Sequence, residues 1–426
     1  MKYARLAFVI GVILTIGVVG CKKSKTEGAG KVKIRYFRWA DPAEVEATQE
    51  LIQEFEKLHP DIEVKFEYAP WSEYWDKLQA QFVAGNAPDV FMISGRYFYD
   101  FARKGLLLDL TEFMDTSDID TTDFFEIPYQ LFTYKGKHYA LPRDYNVIVL
   151  FYNKKLFDKA GISYPDTTWD WAKLREVAKK LTIDFNNDGI KDQYGFLVQN
   201  DMELCWGDFV MQNGGSVLSP DKKRCTLDSP EAIEAIQFLL DMMLVDSSAP
   251  SSIQLTGQSD PFLTGRVAMI TTGSWNFRYY HVPEVDYGIT LLPKGKVRAA
   301  FSNGTGNSIY VKTKNKEAAW LLVRFFSSKH AQEVLARTGT SVPALKSVAY
   351  GDVYREVCRN YGVDADVVLK SFEFAHPLPF TPKFGEWTDL VTREFDKAWI
   401  GQIDAETACR NAARGVNEIL QSIEEW

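Results

Sequence analysis

The chain has 426 residues, 46% hydrophobic and 25% charged, with a formal net charge of −8. It is too long for one ordinary core, since a domain takes roughly 100–200 residues. The acidic balance, without any long Lys/Arg run, excludes a phosphate-neutralising nucleic-acid surface. Eleven Trp, 20 Tyr and 28 Phe supply more flat apolar surface than cores of this size need. Tryptophan, which joins a large apolar face to one N–H donor, is the residue to follow.

At the N-terminus, Lys2 and Arg5 precede an apolar stretch from Leu6 to Val19, then Val18-Val19-Gly20-Cys21 and the polar Lys22-Lys23-Ser24-Lys25. This is the layout of a signal peptide. The small residue before a lone cysteine resembles a bacterial lipobox, which implies cleavage before Cys21 and a diacylglyceryl anchor on its thiol. Residues 1–20 are therefore expected to be a lipoprotein signal peptide, and 21–30 a flexible Lys/Ser/Gly tether on the lipidated Cys21. The expected location is extracytoplasmic, on the periplasmic face or the cell surface. The alternative is an uncleaved membrane-spanning helix, since about 18 apolar residues just suffice.

Along the mature chain, Lys31 to Tyr36 reads as a strand. Residues 43–58 read as a helix, with Val45, Leu51, Ile52, Phe55 and Leu58 at helical spacing,. A second strand (Ile62 to Tyr68), a helix (72–84), the turn Gly85-Asn86-Ala87-Pro88 and a buried strand (Asp89 to Ile93) complete a β-α-β-α-β series, the mark of a parallel α/β sheet. Asn146 to Tyr152 is strand-like. Residues 170–181, 230–244, 315–328 and 330–338 are helical, as is the tail from Thr388 onward, with a turn near Gly401-Gln402. Cys205, Cys225, Cys358 and Cys409 show no CxxC spacing, which argues against structural zinc. They stand either as disulfides, as export permits, or as buried thiols.

Several blocks in order resemble the extracellular solute-binding proteins of the maltose/maltodextrin-binding type. They run "LIQEFEKLHPDIEVKFEY", "WSEYWDKLQAQFVAGNAPDVFMI", "FARKGLLLDLTEFM", "HYALPRDYNVIVLFYNKKLF", "DPFLTGRVAMITTGSWNF", "VDYGITLLPKG", "FFSSKHAQEVLARTGTSVPALKSV" and "GEWTDLVTREFDKAWIGQIDAETACRNAARGVNEIL". The resemblance implies a two-lobed α/β fold of the type II periplasmic-binding-protein kind. Each lobe is a mixed sheet flanked by helices, with the ligand cleft between them. It implies an N-terminal lobe of 31–142 plus 299–339 and a C-terminal lobe of 143–298 plus 340–426. It further implies a monomer that hands a sugar to the permease subunits and ATPase of an ABC importer by hinge closure.

A sugar stacks its C–H faces on aromatic rings and pairs its hydroxyls with planar polar groups, so its site needs Trp or Tyr beside Asp, Asn, Glu or Arg. Trp275, after the apolar strand Val267 to Thr271 and a Gly-Ser turn, is the leading candidate. Trp387, in Gly385-Glu386-Trp387, is next. The resemblance puts a stacking aromatic at both positions. Trp39 and Trp71 follow the first and second strands, at the ends where parallel sheets bind ligands. Trp206 starts a helical segment. Tyr68 and Glu67 end the second strand, and alternation turns one of them to the cleft. Asp144 and Asn146 lie where the resemblance puts the first lobe crossing. Arg96 matches a ligand-reaching position, and Asn303 sits beside Gly304 and Gly306 in the second crossing. For each, the plain alternative is packing or a surface ion pair.

Asp184, Asn186, Asp188, Ile190 and Asp192, with Gly189, match ligand positions 1, 3, 5, 7 and 9 and the turn glycine of an EF-hand loop. Gly195 stands where the bidentate Glu belongs. The reading is a structural calcium; the alternative is an Asp/Asn-Gly turn. No other cofactor is expected. Two further functions stay open. One is a secreted carbohydrate-active enzyme, although no motif singles out a carboxylate pair. The other is the same fold carrying ferric iron on Tyr279-Tyr280, a polyamine or a glycerol phosphodiester.

Overall fold

The computed structural model describes residues 30–251, 253–255 and 260–424. The signal segment, Cys21 and the tether up to residue 29 lie outside the described residues. Strand β1 (Val32–Trp39) leads into the helix Pro42–Leu58. Asp41 caps that helix by accepting the N–H of Glu44, while the Glu44 carboxylate takes the N–H of Asp41. This capping box, with Pro42 in the first turn, fixes where the helix starts. Leu51, Ile52 and Phe55 are buried with Ile34, Tyr36, Trp320 and Leu322. Burying each such side chain stabilises by about 1.5–3 kcal/mol, which sets the helix face. Strands β2 (Ile62–Ala69) and β3 (Val90–Ser94) lie parallel to β1 on either side, the series expected from the sequence.

The small hairpin β4 (Thr133–Tyr134) and β5 (Lys137–His138) precedes β6 (Ala140–Asn153), which is buried along its whole length. A strand covered on both faces reads as a continuous apolar run, as Val147 to Tyr152 does. Up to Val147, β6 pairs antiparallel with β9 (Ala300–Ile309). From Ile148 it pairs with β7 (Met269–Gly273) and β8 (Tyr287–Thr290). The other edge of β9 pairs with β3 and, at Ala300 to Ser302, with β10 (Ala375–Pro377). Strands β6 and β9 thus belong to both halves of the sheet, and β6 continues through residue 142 with a register shift against β9 between Pro142 and Asp144.

Gly304 and Gly306 serve this crossing. A Cβ at either would stand 2.8 Å from a β6 carbonyl oxygen, that of Asp144 or Leu141. Their smallness lets the two strands approach each other. The helices Phe384–Trp399 and Ala405–Gln421 pack together around Gly401, whose φ is +75°. The expected helix 230–244 is α-helical over Pro230–Leu240 and finishes in a wider π-turn, Asp241–Val245. The helix Gly95–Arg103 and the helices between Lys346 and Ser371 had no counterpart in the sequence reading. Cys205, Cys225, Cys358 and Cys409 are all buried and unpaired.

Candidate functional site

Between the two halves opens a cleft of about 620 Å³. On the first-lobe side, Trp39 ends β1 and Trp71 starts the helix after β2. Trp71 meets Trp39 edge-on at 4.9 Å, Trp39 lies 5.5 Å from Trp75, and Trp75 stacks on Tyr97 at 3.7 Å. The two cleft rings are therefore backed by two more, which limits their rotamers. On the opposite side, β7 ends at Gly273 and a short 3-10 turn carries Trp275. A Cβ on Gly273 would fall 2.0 Å from the Trp275 ring, so the indole lies directly over this glycine. Tyr279, half exposed, continues this wall.

The floor is ionic. Glu44 Oε1 accepts from Arg38 at 2.6 Å and from Arg143 at 2.7 Å. Arg143 also donates to Asp144 at 2.6 Å, and Asp144 accepts the backbone N–H and hydroxyl of Thr305 at 2.8 and 2.7 Å. Burial raises the Glu44 carboxyl, but the two guanidinium charges outweigh it and hold it down at about 2,. Asp144 is 2% exposed and both its oxygens are occupied, so it braces the crossing strands; the sequence reading had it gripping hydroxyls. Asn146 Oδ1 accepts from Ser274 at 3.0 Å, and Asn303 Oδ1 from the N–H of Gly304 at 2.8 Å. Both line the cleft.

Two arginines cross the cleft in opposite directions. Arg96, from the first lobe, lies over the Phe384 ring at 5.7 Å and 3.8 Å from Glu203. Glu203 sits on the π-turn Met202–Trp206; burial pushes its carboxyl up to about 7 against the pull of Arg96. Arg278, from the second lobe, reaches Asp41: its Nη1 lies 3.1 and 3.2 Å from the two carboxylate oxygens. The cleft thus offers aromatic faces on both walls above a set of oriented donors and acceptors, an arrangement that binds polyhydroxylated rings.

The family model for bacterial extracellular solute-binding proteins matches residues 39–333. The chain belongs to that family. A maltotriose-binding protein of Pyrococcus abyssi is 30% identical over 369 residues, covering 84% of this chain and 75% of that one. A galactooligosaccharide-binding protein of Bacillus subtilis is 25% identical over 94% of this chain and 93% of its own. Among solved structures, an ABC substrate-binding protein from Listeria monocytogenes in complex with cycloalternan superposes with a TM-score of 0.84 at 29% identity, covering 92% of this chain and 99% of that chain. The two-lobed type II fold expected from the sequence is the fold of this extracellular solute-binding protein.

Of the sequence-predicted residues, the structure gathers Trp39, Trp71, Arg96, Asp144, Asn146, Trp275 and Asn303 at one cleft. Four lie elsewhere. Trp387 is fully buried, its indole N–H on the Thr381 hydroxyl at 2.9 Å, because its helix turns it inward against Phe384. Trp206 is 2% exposed and packs on Phe395. Glu67 is held by Arg35 at 3.0 Å, and Tyr68 lies over Phe66.

Sequence reasoning missed Asp41, Glu203 and Arg278. The capping pattern Asp41-Pro42-Ala43-Glu44 was legible. Glu203 and Arg278 carried no local signal. In the loop 184–192 the carboxylates turn onto backbone N–H groups: Asp184 on Gly189 at 2.9 Å, Asp188 on Ile190 at 2.8 Å and Asp192 on Phe185 at 2.7 Å. Among the described residues no group of three or more His, Cys, Asp and Glu converges as a metal cluster. Asp184 Oδ1 is buried without a partner.

Proposed function

We propose that this protein captures an oligosaccharide outside the cytoplasm and delivers it, by closure of its lobes, to the permease of an ABC importer driven by a separate ATPase. The observation that carries the reading is the cleft itself, with Trp39 and Trp71 facing Trp275 and Tyr279 across polar side chains. Rings on both walls suit a ligand of more than one sugar unit. The relatives named for maltotriose and galactooligosaccharide, and the structure complexed with cycloalternan, support the same class. Sugar that touches both lobes favours the closed form, because only that form makes both sets of contacts. We further propose a monomer whose lobes divide near residues 142, 298 and 339, held at the membrane by lipid on Cys21 after removal of residues 1–20.

The alternatives fare less well. Tyr280 donates to Asp260 at 3.1 Å and is buried, whereas Tyr279 faces the cleft, so adjacent tyrosines do not offer ferric iron two phenolates. Arg96, Arg143 and Arg278 each sit beside a carboxylate, which leaves, among the described residues, no unmatched cleft arginine for a phosphodiester. Of the five cleft carboxylates, Asp41, Glu44, Asp144 and Glu203 each already face an arginine, and the aromatic walls favour a sugar over a polyamine. The family consists of solute-binding proteins, and the reading involves no turnover.

The test is a thermal-shift screen against mono- and oligosaccharides. A ligand at one hundred times its dissociation constant stabilises by about 2.7 kcal/mol. A shift confined to one oligosaccharide class supports the reading; no shift across a broad panel overturns it. Calcium at Asp184, Asn186, Asp188, Ile190 and Asp192 remains a second, separate proposal, supported by the ligand pattern and the unpartnered Asp184 Oδ1. Adding calcium to chelator-treated protein would raise its Tm by about 2–4 °C. An unchanged Tm would refute it.

A further inference from the structure

Asp41 and Arg278 come from opposite lobes, 237 residues apart, and meet at the cleft. Both ends are mounted on fixed structure. Asp41 is the N-cap of the first long helix, and its Oδ1 also accepts the Glu44 N–H at 2.9 Å. Glu44 in turn is locked by Arg38 and Arg143, so the carboxylate is held in place before Arg278 arrives. Arg278 lies in the turn Phe277–Tyr280, anchored by buried Phe277 and Tyr280 on either side of it. The two side chains are 34% and 41% exposed, open to solvent and salt.

We propose that Arg278 and Asp41 form a strap between the lobes that draws the ligand-free protein toward its closed form and must part for a solute to enter or leave. It rests on the two-lobed fold, and on the sugar reading only for its effect on ligand. The strap differs from the Arg96–Glu203 contact, which lies at 3.8 Å beside a largely buried carboxyl. An exposed ion pair of this kind shifts an equilibrium by a modest factor, roughly two- to fivefold, and the shift fades with salt. That size suits a device that biases closure without locking it.

The experiment compares distances between spin labels on Val83→Cys and Val245→Cys, exposed positions one on each lobe, in ligand-free protein. In low salt, Arg278→Gln should lower the ratio of closed to open populations about two- to fivefold. Asp41→Asn, which still caps the helix, should do the same. The double variant should add nothing further, and molar salt should bring the wild type to the variants' ratio. Identical populations in all four proteins, or unequal and additive effects, would overturn the strap. With maltotriose as probe, Arg278→Gln should raise both association and dissociation rates by a similar factor. Failure of all oligosaccharides to bind would remove the sugar reading, while the ligand-free distances would still decide the strap.

Discussion

Two glutamates face the same cleft in opposite electrostatic states. Glu44 touches two guanidinium groups within 2.7 Å and is held near 2. Glu203 has a single arginine at 3.8 Å and is pushed to about 7. Both are largely buried, with side chains 10% and 12% exposed. Burial alone therefore does not set a carboxylate's charge; the number and closeness of its counter-charges do. The Glu44 side of the cleft is an ionic strut joining the first helix to the crossing strands, in which both carboxylates are paired and, among the described residues, only the buried Arg143 Nε has no partner. The Glu203 side is an under-paired acceptor, which a ligand hydroxyl can complete.

The comparison is most open to attack at Arg143. Replacing it with Ala leaves Asp144 and Glu44 short of a buried partner, and should destabilise the fold by about 3–5 kcal/mol in denaturant titration. A loss below ~1 kcal/mol would mean the strut is not structural. Next in size is Trp275→Ala. It removes a partly buried cleft ring at the edge of the core, so oligosaccharide affinity should fall roughly thirtyfold, about 2 kcal/mol, with the fold intact,. Calorimetry reads both, and an unchanged affinity would take Trp275 out of the site.

The smallest effect is the most diagnostic. If Glu203 accepts a hydroxyl, its ionised form binds better, so affinity should rise by a few-fold from pH 6 to 8. The sign for stability is opposite. A carboxyl raised from an ordinary 4.5 to about 7 in the folded state holds its proton longer there, so stability falls as pH climbs through that window,. Glu203→Gln should flatten both trends. A wild type flat in affinity across pH 6–8 would remove Glu203 from ligand contact.

Much of the frame was legible beforehand. The β-α-β-α-β series followed from the helical spacing of Leu51, Ile52 and Phe55 between alternating strands, and the walls Trp39, Trp71 and Trp275 followed from strand ends. Trp387 and Trp206 were misjudged because a Trp next to a glycine or at a helix start looks the same in sequence whether its helix turns it outward or into the core. Asp144 was assigned to ligand because its partners, Arg143 and Thr305, lie 1 and 161 residues away, and only the pairing of β6 with β9 brings the second of them in.

By itself, then, the sequence determined the α/β class of the fold and the aromatic character of the cleft. These rest on periodicity and composition, which are local properties. Which charges are satisfied was decided by tertiary structure alone. Glu44 near 2, Glu203 near 7 and the meeting of Arg278 with Asp41 all depend on distances between segments up to 237 residues apart. A charge interaction is set by separation and burial in space, and neither is written in the order of residues along the chain.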